Sequence, residues 1–309
     1  MYVSTSRGSD DFAFEDILAL PDRDHWILAA IDEINGLIEK ETWIEEEQSL
    51  ATSRILPGTW TFKLKRKPDG SIKKYKARYC VRGDLQDTSE ETHAPVCNFS
   101  SVRIFLVLSL LLGWITCNID FTNAFVQAVL SSPVWIHLPR GFRSSRGRST
   151  CLRLKKSLYG LRTAPRLWHE HLRHAMLEEL GFKQSAFDPC MFYRHNMLAI
   201  LYVDDVGLAF PTEDVLDEFL NELQDLGFEF TREGTFSEFL GIQFDFDTIA
   251  RSVTMTQSGL IDKILSTAGM SECKPNKLPT SQLPLGNDEN GEMMVERWSY
   301  SSLVGMLLY

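Results

Sequence analysis

The chain has 309 residues, 44% of them hydrophobic and 24% charged, with a formal net charge of −10. That length fits two domains or one domain with subdomains, and the composition excludes intrinsic disorder, collagen and long coiled coil as the main state. No apolar run reaches the roughly 18–20 residues of a membrane span, and the first residues, MYVSTSRGSDD, lack the basic start and apolar core of a secretory signal, so an intracellular, non-secreted protein is expected.

In chain order, residues 1–21 read as an irregular lead-in. Trp26, Ala30, Ile34 and Leu37 recur at three-to-four spacing, which predicts an amphipathic helix over 22–40 with Asp22 or Asp24 as its cap. Residues 58–65 alternate as a strand, and Pro68-Asp69-Gly70 turns the chain into a second strand near 72–81. A buried helix is expected at 101–112, a short apolar strand at 114–121, and a helix over 122–130 capped by Thr122. A longer helix follows at about 164–180, stopped by Gly181. Residues 197–210 read as two strands with Asp204 and Asp205 at the turn. Beyond them come a helix at 213–226, strands near 228–231 and 239–247, and a short helix at 257–268. This order makes an antiparallel α+β layer with helices on one face. The final run, LVGMLLY, is apolar and uncapped, and reads as an element cut by the chain end.

Six cysteines stand at 80, 97, 117, 151, 190 and 273, with no C-x-x-C pair, so neither a disulfide framework nor a zinc module is implied. His169, His171 and His174 form an H-x-H-x-x-H cluster that reads as a solvated helix face. Charge is strongly segregated. Residues 62–82 hold nine basic groups against one acid, and residues 140–173 hold ten against one. Residues 204–250 hold thirteen acids and only Arg232. A cleft lined by such basic segments attracts a polyanion even in an acidic chain, because the local field rather than the sum decides.

Tyr202-Val203-Asp204-Asp205 places two adjacent acids between apolar strands, a costly arrangement that a divalent cation would relieve. Taken alone it is equally an Asp-rich β-turn. Asp120 adds a third carboxylate at the end of another apolar strand. Three carboxylates converging where strands end would suit two hard cations and in-line phosphoryl transfer, with Mg²⁺ the natural ion and Mn²⁺ an alternative.

At this point the chain resembles the reverse transcriptases of copia-type long-terminal-repeat retrotransposons. The matching text includes ETW at 41–43, TWTFKLKRKPDGSIKKYKAR at 59–78, RG at 82–83 and ET-x-APV at 91–96. It continues with GW at 113–114, D-x-x-NAF at 120–125, LPRGF at 138–142 and LRLKKSLYGLRTAPRLWH at 152–169. GF-x-x-S-x-x-D-x-x-x-F at 181–192, LYVDD at 201–205, FLGI at 239–242 and SLVG at 302–305 complete it.

The resemblance implies a right-hand polymerase with fingers, a ferredoxin-like antiparallel palm and a partial thumb. The implied division is 1–21 lead-in, 22–100 N-terminal helix and fingers, 101–247 palm with a fingers segment, and 248–309 partial thumb or connection, ending before an RNase H region. It implies RNA-directed DNA synthesis from a DNA primer on an RNA template, with deoxynucleoside triphosphates. Asp120, Asp204 and Asp205 match the catalytic, metal-holding carboxylates. Lys65, Arg78, Phe121, Phe125, Tyr159 and Gly160 are the implied nucleotide-binding residues, with Phe125 the bulky group that excludes a ribose 2′-hydroxyl. Arg162, Pro165 and Tyr202 are implied at the template and primer. Departures are Tyr79-Cys80-Val81 for a usual Leu-Val-Ala, Arg162-Thr163 for Lys-Gln, and His93 for Phe. No gag-like, protease or integrase motif is readable. The alternative is a catalytically inactive remnant that only binds nucleic acid or a partner.

Overall fold

The computed structural model describes residues 10–66, 71–87, 89–144, 146–147, 149–247, 249–277 and 299–308. They fall into two units, Met1–Thr235 and Phe236–Tyr309, a division earlier than the 247/248 boundary expected from sequence. The expected Pro68-Asp69-Gly70 turn lies outside the described residues.

The first unit runs β1 (Asp11–Phe12), α1 (Phe14–Leu18), α2 (Arg23–Glu39), β2 (Trp43–Glu47), β3 (Gly58–Arg66) and β4 (Ile72–Val81). It continues α3 (Phe99–Leu112), β5 (Ile115–Phe121), β6 (Val129–Ile136), β7 (Thr150–Lys156), α4 (Ala164–His174) and β8 (Lys183–Gln184). It ends with β9 (Met191–Arg194), β10 (Met197–Tyr202), β11 (Asp205–Phe210), α5 (Glu213–Asp225) and β12 (Phe230–Thr235). The second unit holds β13 (Glu238–Phe239), β14 (Ile242–Asp247), β15 (Ser252–Thr256), α6 (Ser258–Thr267) and α7 (Tyr300–Leu308). Against its sheet, β13-β14-β15, packs the buried Phe236, whose ring stacks on Phe244 at 5.1 Å.

The principal sheet has the order β12-β5-β11-β10-β9-β8, every neighbouring pair antiparallel. Taken with its helices, β5-α4-β10-β11-α5-β12 is a β-α-β-β-α-β unit with spatial order 4-1-3-2, the ferredoxin-like arrangement. β6 and β7 are inserted into its first crossover and pair with β2 in a separate sheet.

The N-terminal layer forms around Trp26 of α2, which is fully buried. Its indole meets Phe12, Phe62 and Tyr75 at ring distances of 5.3, 5.8 and 4.7 Å. Phe12 and Phe62 are also cross-strand partners in the β1–β3 pairing. Residues 10–21 are therefore not the irregular lead-in expected, because one aromatic residue in β1 is enough to dock that strand on the hairpin.

Three further elements differ from the sequence reading. The expected 122–130 helix is one 3₁₀ turn, Ala124–Gln127, preceded by Asn123 at φ 52°, after which β6 begins at Val129. α3 is not buried all round: Val102, Phe105 and Leu106 face the core while Ile104, Val107, Leu111 and Leu112 are exposed. A helix apolar on every side carries no mark of which side will be covered. The 164–180 helix changes to a π-helical turn at Ala175–Glu179 before Gly181 ends it. His169 is half-buried with its Nε2 enclosed and unpartnered, so the three histidines are not a uniformly solvated face. The described cysteines are free thiols, as expected.

β4 is tied to the segment before α4 by a close backbone contact. The Val81 amide donates to the Tyr159 carbonyl at 2.7 Å. Gly160 sits at φ 90°, and a Cβ there would lie 2.1 Å from the Val81 carbonyl oxygen. A Cβ on Gly83 would in turn lie 2.0 Å from the Gly160 carbonyl oxygen. The bare backbone at Gly160 thus serves contact with the basic hairpin itself. Gly160→Ala should cost at least about 2 kcal/mol of stability, because strain and backbone displacement combine. Gly36→Ala in α2, where nothing lies within 4 Å, should be neutral or stabilising by about 0.5–1 kcal/mol. Thermal melts of the two variants beside the parent protein check the contrast.

Candidate functional site: a cavity with an acidic and a basic wall

β5 and β11 pair so that Asp120 lies directly across from Asp205. Asp205 in turn faces Tyr202 of β10, and Asp120 faces Thr231 of β12. Cross-strand partners share a sheet face, and successive residues alternate between faces. Phe121 must then point away from Asp120, and it does. Its ring is 2% exposed and meets Trp168, Phe228 and Phe230 at 5.0, 5.6 and 6.1 Å. The ring of Phe121 is thus a core anchor beneath Asp120, while the residue itself still borders the cavity described next.

Val203 and Asp204 form the two-residue turn between β10 and β11, so Asp205 opens a strand and does not sit in the turn. Val203 adopts φ 56°, the conformation a glycine ordinarily supplies at the first turn position. Two hydrogen bonds hold this turn down. The Trp168 indole N–H donates to the Val203 carbonyl at 2.6 Å, and the Phe121 amide donates to the Asp204 carbonyl at 3.1 Å.

These residues line a cavity of about 610 Å³ within the first unit. One wall carries Asp120, Asp204, Asp205 and Glu233; the other, from the β3–β4 hairpin, carries Lys65, Lys74, Lys76 and Arg78. Asp120 has its pKa raised, first by burial and then by the negative charges of Asp204 and Glu233, with Lys76 and Lys65 opposing. Lys76 has its pKa lowered by burial and by the neighbouring charges of Arg78 and Lys65. The Arg78 guanidinium lies over the Tyr159 ring at 3.9 Å, and burial pushes the Tyr159 phenol up to about 12. Glu33 of α2, which lines the cavity with Asp32, has its carboxyl pushed upward by burial and accepts the Tyr79 amide at 3.2 Å.

Of the residues expected at a nucleotide, Lys65, Arg78, Phe121 and Tyr159 line this cavity. Phe125 stands behind Tyr159 with ring centres 4.7 Å apart. Gly160 is committed to its backbone contact with Val81. Arg162 is exposed, its amide donating to Gln86 Oε1 at 3.3 Å, and Pro165 opens α4. Tyr202 is half-buried across from Asp205. Sequence reasoning did not single out Lys76, Glu233 or Glu33. Only Lys76 had a signal, as one of nine basic groups in 62–82; α2 and β12 reach the cavity through tertiary packing.

The donor set suits a hard divalent cation: carboxylates on one sheet face, two of them directly opposed and one with a raised pKa. Among the described residues, no three His, Cys, Asp or Glu side chains are gathered into a closed metal cluster. Asp120, Asp204 and Asp205 are thus a set of oxygen donors on one cavity wall.

Residues 45–282 match the family model described as reverse transcriptase (RNA-dependent DNA polymerase). The chain is 26% identical over 324 residues to the retrovirus-related Pol polyprotein from transposon TNT 1-94 of Nicotiana tabacum, covering 100% of this chain and 24% of that protein. It is 29% identical over 300 residues to the retrovirus-related Pol polyprotein from transposon RE1 of Arabidopsis thaliana, covering 95% of this chain and 20% of that protein. Among solved structures, the foamy viral protease-reverse transcriptase in complex with dsDNA aligns over 79% of this chain and 46% of its own, at 14% identity and a TM-score of 0.41. With the model matching residues 45–282 of 309, the chain belongs to the reverse transcriptase (RNA-dependent DNA polymerase) family.

Proposed function

We propose that this chain carries out RNA-directed DNA synthesis, adding deoxynucleotides to the 3′ end of a DNA primer on an RNA template. The observation that carries this reading is that Asp120, Asp204 and Asp205 share one cavity with four basic side chains of the β3–β4 hairpin. A triphosphate is drawn to Lys65, Lys76 and Arg78, which offset its charge. Tyr159, backed by Phe125, forms an aromatic floor that limits how deeply a sugar enters. Asp120, Asp204 and Asp205 would hold Mg²⁺ when it binds, and the ion would supply positive charge at the reacting phosphate. Asp120 acts only when ionised, so burial and like charge at this residue set an acid limit on the reaction.

Primer extension on an RNA template with Mg²⁺ and deoxynucleoside triphosphates is the test. Extended products from the parent chain that vanish with Asp204→Asn support the reading. No products from either, with the template still bound, would overturn it in favour of a protein that only binds nucleic acid. Lys65→Glu should raise the nucleotide KM by about tenfold and flatten its dependence on salt.

The rate should fall as pH drops through the raised pKa of Asp120. Glu233→Gln removes one of the negative charges acting on Asp120, so its acid limb should move to lower pH. The stability sign is opposite to the activity sign. A raised carboxyl pKa in the fold means stability is fully present at low pH and is lost as pH rises through it. Asp120→Asn should therefore melt higher than the parent near neutral pH, with the difference closing in acid, while abolishing extension.

A further inference from the structure

We infer that Trp168 is a positioning residue for the carboxylate turn, holding Val203 in a left-handed conformation through one hydrogen bond and so fixing Asp204 beside Asp120. The inference rests on the proposed polymerase reading for its effect on rate, but its structural half stands without it.

Trp168 lies in α4, far in sequence from both acidic strands, and is fully buried. It touches both of them. Its indole N–H donates to the Val203 carbonyl at 2.6 Å, one residue before Asp204. Its ring meets the edge of Phe121 at 5.0 Å, one residue after Asp120. One side chain thus references the two carboxylate-bearing segments to each other.

Val203 is where such a reference is needed. A β-branched residue at φ 56° is strained, and it persists only where its surroundings hold it there. The carbonyl of Val203, itself half-buried, accepts from the fully buried Trp168 indole. Without the indole N–H that carbonyl would lose this partner, and the strained turn would gain by rearranging. The rearrangement moves Asp204, whose own carbonyl receives the Phe121 amide. Strain at Val203, the Trp168 donor and the Phe121–Asp204 bridge form one mechanical unit.

Trp168→Phe keeps an aromatic ring in the core and removes the donor. Hydrogen exchange resolved to the Phe121 amide reads the turn directly, and primer extension reads its consequence. In Trp168→Phe the Phe121 amide should exchange about tenfold faster, with the other β5–β12 amides unchanged. The extension kcat should fall by about tenfold while the nucleotide KM holds, because the basic wall is untouched. Val203→Gly removes the strain, since glycine adopts the left-handed region freely. The double variant Trp168→Phe/Val203→Gly should therefore recover Phe121 protection and kcat to within about threefold of Val203→Gly alone. A role for Trp168 in core packing only would give no rescue, and that result would overturn the inference. Unchanged Phe121 exchange in Trp168→Phe would overturn it as well. If Trp168→Phe does not fold, a folded double variant supports the inference and an unfolded one contradicts it. A parent chain that extends no primer would defeat the polymerase reading alone, because the exchange measurements still decide the role of Trp168.

Discussion

The structure depends on one register: β5 and β11 pair so that Asp120 stands directly opposite Asp205. Like charges across an antiparallel pair oppose sheet formation. The pairing is nevertheless enforced, because the same register buries Cys117, Ile119, Phe121, Val206 and Leu208. A slip of β5 by one residue would exchange the faces of Cys117, Ile119 and Phe121 with those of Asn118 and Asp120, and so carry that acid to the side where Phe121 is now buried. Hydrophobic burial therefore imposes the electrostatic tension at the cavity. The pKa of Asp120 is raised first by that burial and then by the charges of Asp204 and Glu233.

The rest of the first unit answers that tension from two directions. On one side the β3–β4 hairpin supplies lysines and an arginine to the opposite wall, and the Gly160–Val81–Gly83 backbone contact fixes the base of that hairpin. On the other side Trp168 and the Phe121 amide hold the Val203–Asp204 turn. This also resolves an apparent conflict in composition. A chain of net charge −10 still presents a local basic field, because Lys65, Lys74, Lys76 and Arg78 share one wall of the cavity.

Much of this was legible in the amino-acid order. The α2 periodicity, the β3–β4 hairpin, the apolar strand ending at Asp120 and the β10–β11 hairpin all follow from local patterns, and they carry the three carboxylates. Local patterns failed where distant packing decides. Phe12 docks β1 through Trp26, a contact no local window contains. Residues 122–130 have the composition of a helix, yet Asn123 at φ 52° and the pairing of β6 with β7 leave only a single turn. That the Phe121 ring turns into the core follows from alternation with Asp120, a rule available in the sequence. Glu33, Glu233 and Trp168 enter the site from α2, β12 and α4, and only the folded arrangement brings them there.

The central claim is that Asp120 on β5 and the Asp204–Asp205 segment form one cation site. Fe²⁺ substituted for Mg²⁺ cuts nearby backbone when treated with ascorbate and peroxide, and the cut positions can be read by mass spectrometry. The account predicts cuts near residue 120 and near residues 203–205 in the same sample, competed by Mg²⁺ and lost in Asp204→Asn. Cuts confined to the histidines of 169–174, or cuts near 203–205 with none near 120, would contradict it.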